Sequence, residues 1–351
     1  MPLSLAQRAM IERARVVGGA QGLVLSDSAC AFLVGTMIRD LGLDAHFPEI
    51  PAQLPPFYGA GALADMALPG LECLALLERA IGLVPDADTY FACLASLHKR
   101  RLKYELILQT QPVPTVEQVG PRALLQFGKL SPGALAGFLF WRKWVYDIDN
   151  RAGQETGYLF EPIIAAAIGG VPASAAKSPV KRAAAKSQGR QVDCLLERRA
   201  YEIKLRVTIA ASEQGRWREE MEFPRDCRES GFTPVMVVLD STANPKLEEL
   251  RQAFIVAGGE FYIGEAAWNH LAGLAGPTMS RFLEKYVHVP IRALLEEAPV
   301  QLPGIAMEMD AETLRVTVAG ETFTVARRET AEEAEPEDEL PSDVDEETPG
   351  P

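Results

Sequence analysis

The segment Tyr201-Glu202-Ile203-Lys204-Leu205-Arg206-Val207-Thr208 alternates apolar and polar residues for eight positions. A period of two describes a strand with one face in a core and the other turned to a polar space, and it excludes a helix. Tyr201, Ile203, Leu205 and Val207 share one face, and Glu202, Lys204, Arg206 and Thr208 the other. Gln191 to Leu196 reads as the preceding strand, and Glu197 to Ala200 as a short polar turn. If Leu196 pairs with Tyr201, Asp193 lies opposite Lys204, and opposed residues of an antiparallel pair share a face. Asp193, Glu202 and Lys204 are therefore expected to converge.

The flanking segments predict a mixed α/β fold around this hairpin. Ala152 to Ile168 is read as a helix that stops at Gly169-Gly170, with Pro162 kinking it or beginning its second half. Ser212 to Ser230 is polar and helical, with a break expected at Pro224. Val235 to Asp240 is an apolar run of the kind that forms a buried strand. Asn244-Pro245 caps a helix that Gly258-Gly259 closes, with Leu247, Leu250 and Phe254 on one face. Phe261 to Ile263 is the next strand, and Leu314–Val318 with Thr322–Val325 form a hairpin around Ala319-Gly320. The first 150 residues read as mainly helical: Leu71 to Leu83, Asp88 to Gln109, and two helices in Pro121 to Asn150 split at Ser131-Pro132-Gly133. The expected division is a helical region 1–150, a core 151–328 with its C-terminal hairpin, and a disordered acidic tail 329–351.

Charge narrows the choice of partner. The formal net charge is −13, but residues 329–351 hold eleven Asp or Glu and no Lys or Arg. Without them the chain is at −2, so binding of a polyanion rests on local patches and not on total charge. One such patch is the run from Lys177 to Arg190, with Lys177, Lys181, Arg182, Lys186 and Arg190 and no acid. The five cysteines form no CxxC pair and read as buried reduced thiols. No apolar run approaches the ~18 residues of a membrane span, and the first residues carry no apolar signal core, so a cytoplasmic protein is expected. His46, His98, His270 and His288 are isolated, which leaves no histidine or zinc cluster. Neither a phosphate-binding GxxxxGK[ST] loop nor a GxSxG serine elbow occurs.

Two carboxylates and a lysine at one point suit phosphodiester hydrolysis. Hard oxygen ligands hold Mg²⁺ and leave positions for water and phosphate. The carbonyl of Ile203, between the two side chains, is a further candidate ligand. An acid on one strand followed by acid-x-Lys on the next resembles the PD-(D/E)XK nuclease superfamily, over roughly residues 150–265. Asp193 matches its first acid, Glu202 the second and Lys204 the lysine, whereas Val192 stands where the motif has proline. The wording from Gly157-Tyr158-Leu159-Phe160-Glu161-Pro162 to Arg190-Gln191-Val192-Asp193 is similar to the ApaLI-type restriction endonucleases.

The resemblance implies a restriction-endonuclease-like mixed sheet flanked by helices, Mg²⁺ as cofactor and double-stranded DNA as substrate. It also implies a homodimer on a palindromic site, a separate cognate DNA methyltransferase, and GTGCAC as the first sequence to test. An additional acid on the preceding helix is implied as well. Glu155 and Glu161 are the candidates; they cannot share a helix face, and Glu161 is favoured. Arg206, Gln214, Arg216 and Arg218, on or just after the catalytic strand, join the basic run as candidate DNA contacts. A repair or phage-defence nuclease of the same superfamily, or a non-catalytic DNA-binding protein, remains an alternative.

Overall fold

The computed structural model describes residues 3–15, 23–59, 61–205, 214–242 and 245–328. The acidic segment 329–351, Arg206 and the cap at Asn244 lie outside them. In chain order the helices of the first half are α1 (Leu5–Arg15), α2 (Asp27–Asp40), α3 (Cys73–Ile81), α4 (Ala87–Thr110), α5 (Val116–Ala123) and α6 (Pro132–Ala167). There follow β1 (Val171–Ala173), β2 (Lys181–Arg182), β3 (Ala185–Gly189), β4 (Val192–Leu196), β5 (Arg199–Lys204), α7 (Gln214–Glu229), β6 (Thr233–Val238), α8 (Pro245–Val256) and β7 (Glu260–Ile263). The chain closes with α9 (Glu265–Leu283), a π-helical turn Glu284–His288, α10 (Val289–Glu296), and β8 (Ile305–Met309), β9 (Thr313–Val318) and β10 (Glu321–Ala326).

These elements form two units. One comprises Met1–Lys103 with Glu155–Ala298, the other Tyr104–Gln154 with the segment from Pro299 on. The boundary expected near residue 150 falls inside α6, a single helix of 36 residues. Nothing around Asn150-Arg151 stops it, since no Gly–Pro or Ser–Pro break stands there.

The first unit holds a five-stranded mixed sheet in the order β1-β4-β5-β6-β7. β1 and β5 each run antiparallel to β4 between them, whereas β6 and β7 run parallel to β5. Each face is covered because side chains alternate along the strands. Tyr201, Ile203, Val235 and Val237 pack with Phe32, Leu77, Phe91, Ile164, Met279 and Phe282. Ala200, Met236 and Val238 pack with Phe223, Leu250 and Phe254 of α7 and α8. β6 is buried on both faces, which is why its sequence reads as a continuous apolar run. Helix α2 was not evident from periodicity: Cys30 to Ile38 are all buried, so it has no polar stripe to reveal its period. Ser26 caps it, its Oγ accepting the Ala29 N–H at 3.1 Å.

The second unit packs the antiparallel sheet β10-β9-β8 on helical segments, with Trp144, Ile148, Leu314 and Val316 at its centre. The expected hairpin is present: Val318 pairs with Glu321 across Ala319 (φ 51°) and Gly320 (φ 87°), both left-handed as a tight two-residue turn requires. No helix of the described residues is long and apolar enough to cross a membrane. All five cysteines are buried and free.

Candidate active site

The hairpin that carries the motif turns more tightly than its sequence suggests. Leu196 pairs with Arg199, Leu195 with Ala200 and Cys194 with Tyr201, so only Glu197 and Arg198 form the turn. Glu197 takes φ 51° there. The register therefore differs by two from the expected pairing of Leu196 with Tyr201. An even shift keeps every side chain on its face, and continuing the register brings Asp193 level with Glu202 instead of Lys204.

Strand β4 also bulges at the acid. Val171 to Ala173 on β1 spans two steps, while their partners Leu195 to Val192 span three. The extra residue falls around Asp193, and such bulges re-aim a side chain and end regular pairing. Gly170 permits the close approach of this edge, since a Cβ there would lie 2.2 Å from Cys194 Sγ and 2.9 Å from the Leu195 carbonyl oxygen. Asp193 Oδ2 accepts the Ile203 backbone N–H at 2.8 Å, a bond that would otherwise go to a neighbouring strand. The N–H and C=O of one strand residue leave from the same edge. The Ile203 carbonyl therefore points to the side of Asp193, while the Lys204 carbonyl accepts the Leu239 N–H on the opposite side at 2.9 Å.

Charge accumulates at this point. Burial pushes the Asp193 carboxyl well above the usual carboxylate range, and the nearby Glu202 and Glu161 push it further the same way. Lys204 Nζ lies 2.7 Å from Glu202 Oε1 and 3.3 Å from Glu220 Oε1 of α7. Burial would lower its pKa, but Glu202, Glu220 and Asp193 together outweigh that and raise it above the ordinary lysine value. Asp193, Glu202, Lys204 and Glu161 are thus brought into one electrostatic neighbourhood. Among the described residues no three His, Cys, Asp or Glu side chains are grouped to hold an ion by themselves.

The other candidates separate by environment. Glu155 is tied to Arg100 and, at 2.8 Å, to Lys103, whereas the main carboxylates acting on Asp193 are Glu202 and Glu161. Arg190, expected on DNA, is buried in the protein. Its guanidinium donates to Asp226 Oδ2 at 2.7 Å and to the Glu219 carbonyl, and lies 5.4 Å from the Phe223 ring centroid. Arg182 is paired with Glu219 at 2.7 Å. Lys181 is half-buried, and Lys177 and Lys186 are exposed. The basic run is a short β2–β3 hairpin docked on α7, since Ala183 N–H donates to Asp226 Oδ1 at 2.8 Å. Arg218 is exposed and paired with Glu222 at 3.0 Å. Arg206 and the side chains of Gln214 and Arg216 lie outside the described residues.

Helix α7 continues through Pro224, where a break was expected. Proline removes one helical hydrogen bond, to the Glu220 carbonyl, but the buried Phe223, Asp226 and Cys227 hold the next turn in place. Glu220 was missed in the sequence. Its signal is there: Glu220, Phe223 and Cys227 recur at i, i+3 and i+7, which puts an acid on the buried face of the helix. Three of the isolated histidines have packing roles, while His46 is exposed. His270 stacks on Tyr262 at 4.0 Å, His288 on Trp268 at 4.5 Å, and His98 is buried with its pKa pushed down by burial to about 4.

The profile of the ApaLI-like restriction endonucleases matches residues 72–288. The chain is also similar to the type II restriction enzyme ApaLI of Acetobacter pasteurianus, 46% identical over 281 residues, which cover 76% of this chain and 75% of that protein. No solved structure matches. The matched segment contains the sheet, α7 and the whole Asp193–Glu202–Lys204 cluster, and the chain belongs to the ApaLI-like restriction endonuclease family.

Proposed function

We propose that this chain is a Mg²⁺-dependent type II endonuclease of the PD-(D/E)XK kind, which hydrolyses phosphodiester bonds in double-stranded DNA at one specific sequence. The observation that carries this reading is the meeting of Asp193, Glu202 and Lys204 at the β4 bulge. Asp193, Glu202 and the Ile203 carbonyl are the donors that fit the metal. Two carboxylates and one carbonyl suit Mg²⁺, which keeps several positions for water and substrate phosphate. When bound, the ion polarises a phosphoryl oxygen and lowers the pKa of a coordinated water.

The chain's own groups do the rest. Asp193 is held by the Ile203 N–H through one oxygen, which leaves the other for the ion. Lys204 carries a positive charge beside the carboxylates, where it stabilises negative charge that grows on the phosphate and orients the attacking water. Glu161 approaches from α6 as the additional acid. Lys177 and Lys186 are the exposed members of the basic run and the ones available to phosphates. A palindromic target calls for a twofold protein, so the working form is a homodimer, in the cytoplasm beside a separate protective methyltransferase.

Incubation of the protein with plasmid DNA and Mg²⁺, followed by sequencing of the cut ends, tests this. Discrete fragments ending at one sequence, with GTGCAC the first to compare, support it. Random or end-dependent degradation would replace it with a repair or defence nuclease, and no cleavage with any divalent ion would leave a DNA-binding protein only.

A further inference from the structure

Lys204 is flanked by two carboxylates of different origin. Glu202 belongs to its own strand, while Glu220 reaches in from α7 with its side chain 17% exposed. The position of α7 does not depend on Glu220. The buried Arg190–Asp226 pair and the Ala183–Asp226 hydrogen bond dock the helix independently, less than two turns further on. Glu220 is therefore placed beside Lys204 by the fold, not by its own attraction to the lysine.

If Glu202 ligates the metal, its carboxylate turns its electron density toward the ion and becomes a poorer partner for the ammonium now 2.7 Å away. Lys204 would lose its nearer anchor at the moment its charge is needed on the phosphate. Glu220, 3.3 Å from the same nitrogen, has no such competing duty. We propose that Glu220 is a positioning residue, which holds the Lys204 ammonium in the site once Glu202 is given to the metal. This rests on the reading of Asp193, Glu202 and Lys204 as the nuclease site.

The test is a double-mutant cycle on single-turnover cleavage of a duplex carrying the mapped site, with Glu220→Ala, Lys204→Ala and the double variant. Outer partners of this kind are expected to contribute about 10- to 100-fold. Glu220→Ala should slow cleavage by that factor, while metal-free duplex affinity and the melting temperature stay near wild type. The double variant should cut no more slowly than Lys204→Ala, because a holder has nothing left to hold. Glu220→Gln keeps the shape and one acceptor oxygen, and should recover part of the rate. Wild-type cleavage by Glu220→Ala beside a slow Lys204→Ala would overturn the proposal alone. So would a double variant slowed by the full product of the two factors, or a Glu220→Ala defect removed by raising Mg²⁺, which would make Glu220 a ligand. Wild-type cleavage by Lys204→Ala would instead overturn the site itself.

Discussion

Asp193 and Ile203 are joined across the hairpin, Asp193 Oδ2 accepting the Ile203 backbone N–H at 2.8 Å where β4 bulges away from regular pairing. A side chain has taken the place of a strand carbonyl, and the carboxylate is fixed within reach of Glu202 and Glu161. Functional sites characteristically gather like charges that would be unfavourable without their ligand.

That arrangement predicts a stability effect of definite sign. The Asp193 carboxyl is raised above its unfolded value by burial and by Glu202 and Glu161. Its contribution to folding is therefore favourable below the unfolded pKa, about 3.9, and is lost as pH rises through the folded value. At pH 8, without metal, Asp193 opposes folding, since its charge is easier to carry in the unfolded chain. Asp193→Asn should raise the melting temperature of the metal-free protein at pH 8, and the gain should shrink toward pH 4. Thermal unfolding at the two pH values measures this; a lower melting temperature for the variant at pH 8 would contradict it.

Arg190 and Asp226 should behave as structure and not as DNA-contacting groups. Their side chains are 7% and 2% exposed, and removing one partner leaves a buried charge without its counter-ion. Asp226→Ala is expected to cost about 3–5 kcal/mol of stability, read as a lower midpoint in urea unfolding. A loss near zero would mean that water reaches the pair.

Lys177 and Lys186 provide the contrast. Both are exposed, and each phosphate contact contributes about 0.9 to the slope of log affinity against log salt. Lys177→Ala and Lys186→Ala should each flatten that slope by about one contact and leave stability unchanged. Filter binding between low and moderate salt checks this. Slopes identical to wild type would remove these lysines from the DNA interface.

The two helix acids should also part. Glu161→Ala should slow cleavage more than Glu155→Ala, because Glu161 acts on Asp193 while Glu155 is held by Arg100 and Lys103. Glu155→Ala should appear mainly in thermal unfolding, as two partly buried cations lose their partner. The reverse ranking in a digestion assay would exchange their roles.

What could be read from the sequence followed from periodicity, and what could not depended on tertiary partners. The alternation from Tyr201 placed Glu202 and Lys204 on one face whatever the register, so an error of two in the pairing did not move them. The apolar run at β6 and the Ala319-Gly320 turn were legible because each has a local physical cause. Arg190 looked like a DNA contact because nothing local shows that Asp226, 36 residues on, neutralises it. Glu220 was hidden among the neighbouring acids Glu219 and Glu222, although its spacing to Phe223 and Cys227 marks the buried face. Pro224 signalled a break that the packing of Phe223 and Cys227 overrides.

The most direct measurement is the cleavage rate of Glu202→Ala against wild type on the same duplex with Mg²⁺, with folding verified by thermal unfolding and DNA binding measured without metal. Glu202 is proposed as metal ligand and lies 2.7 Å from Lys204 Nζ, so its loss should remove cleavage by at least about 100-fold, the scale on which a preorganised electrostatic group acts. The variant should still fold and bind the duplex. Cutting by a folded Glu202→Ala at the wild-type rate would contradict the account and move the nuclease site elsewhere in the chain.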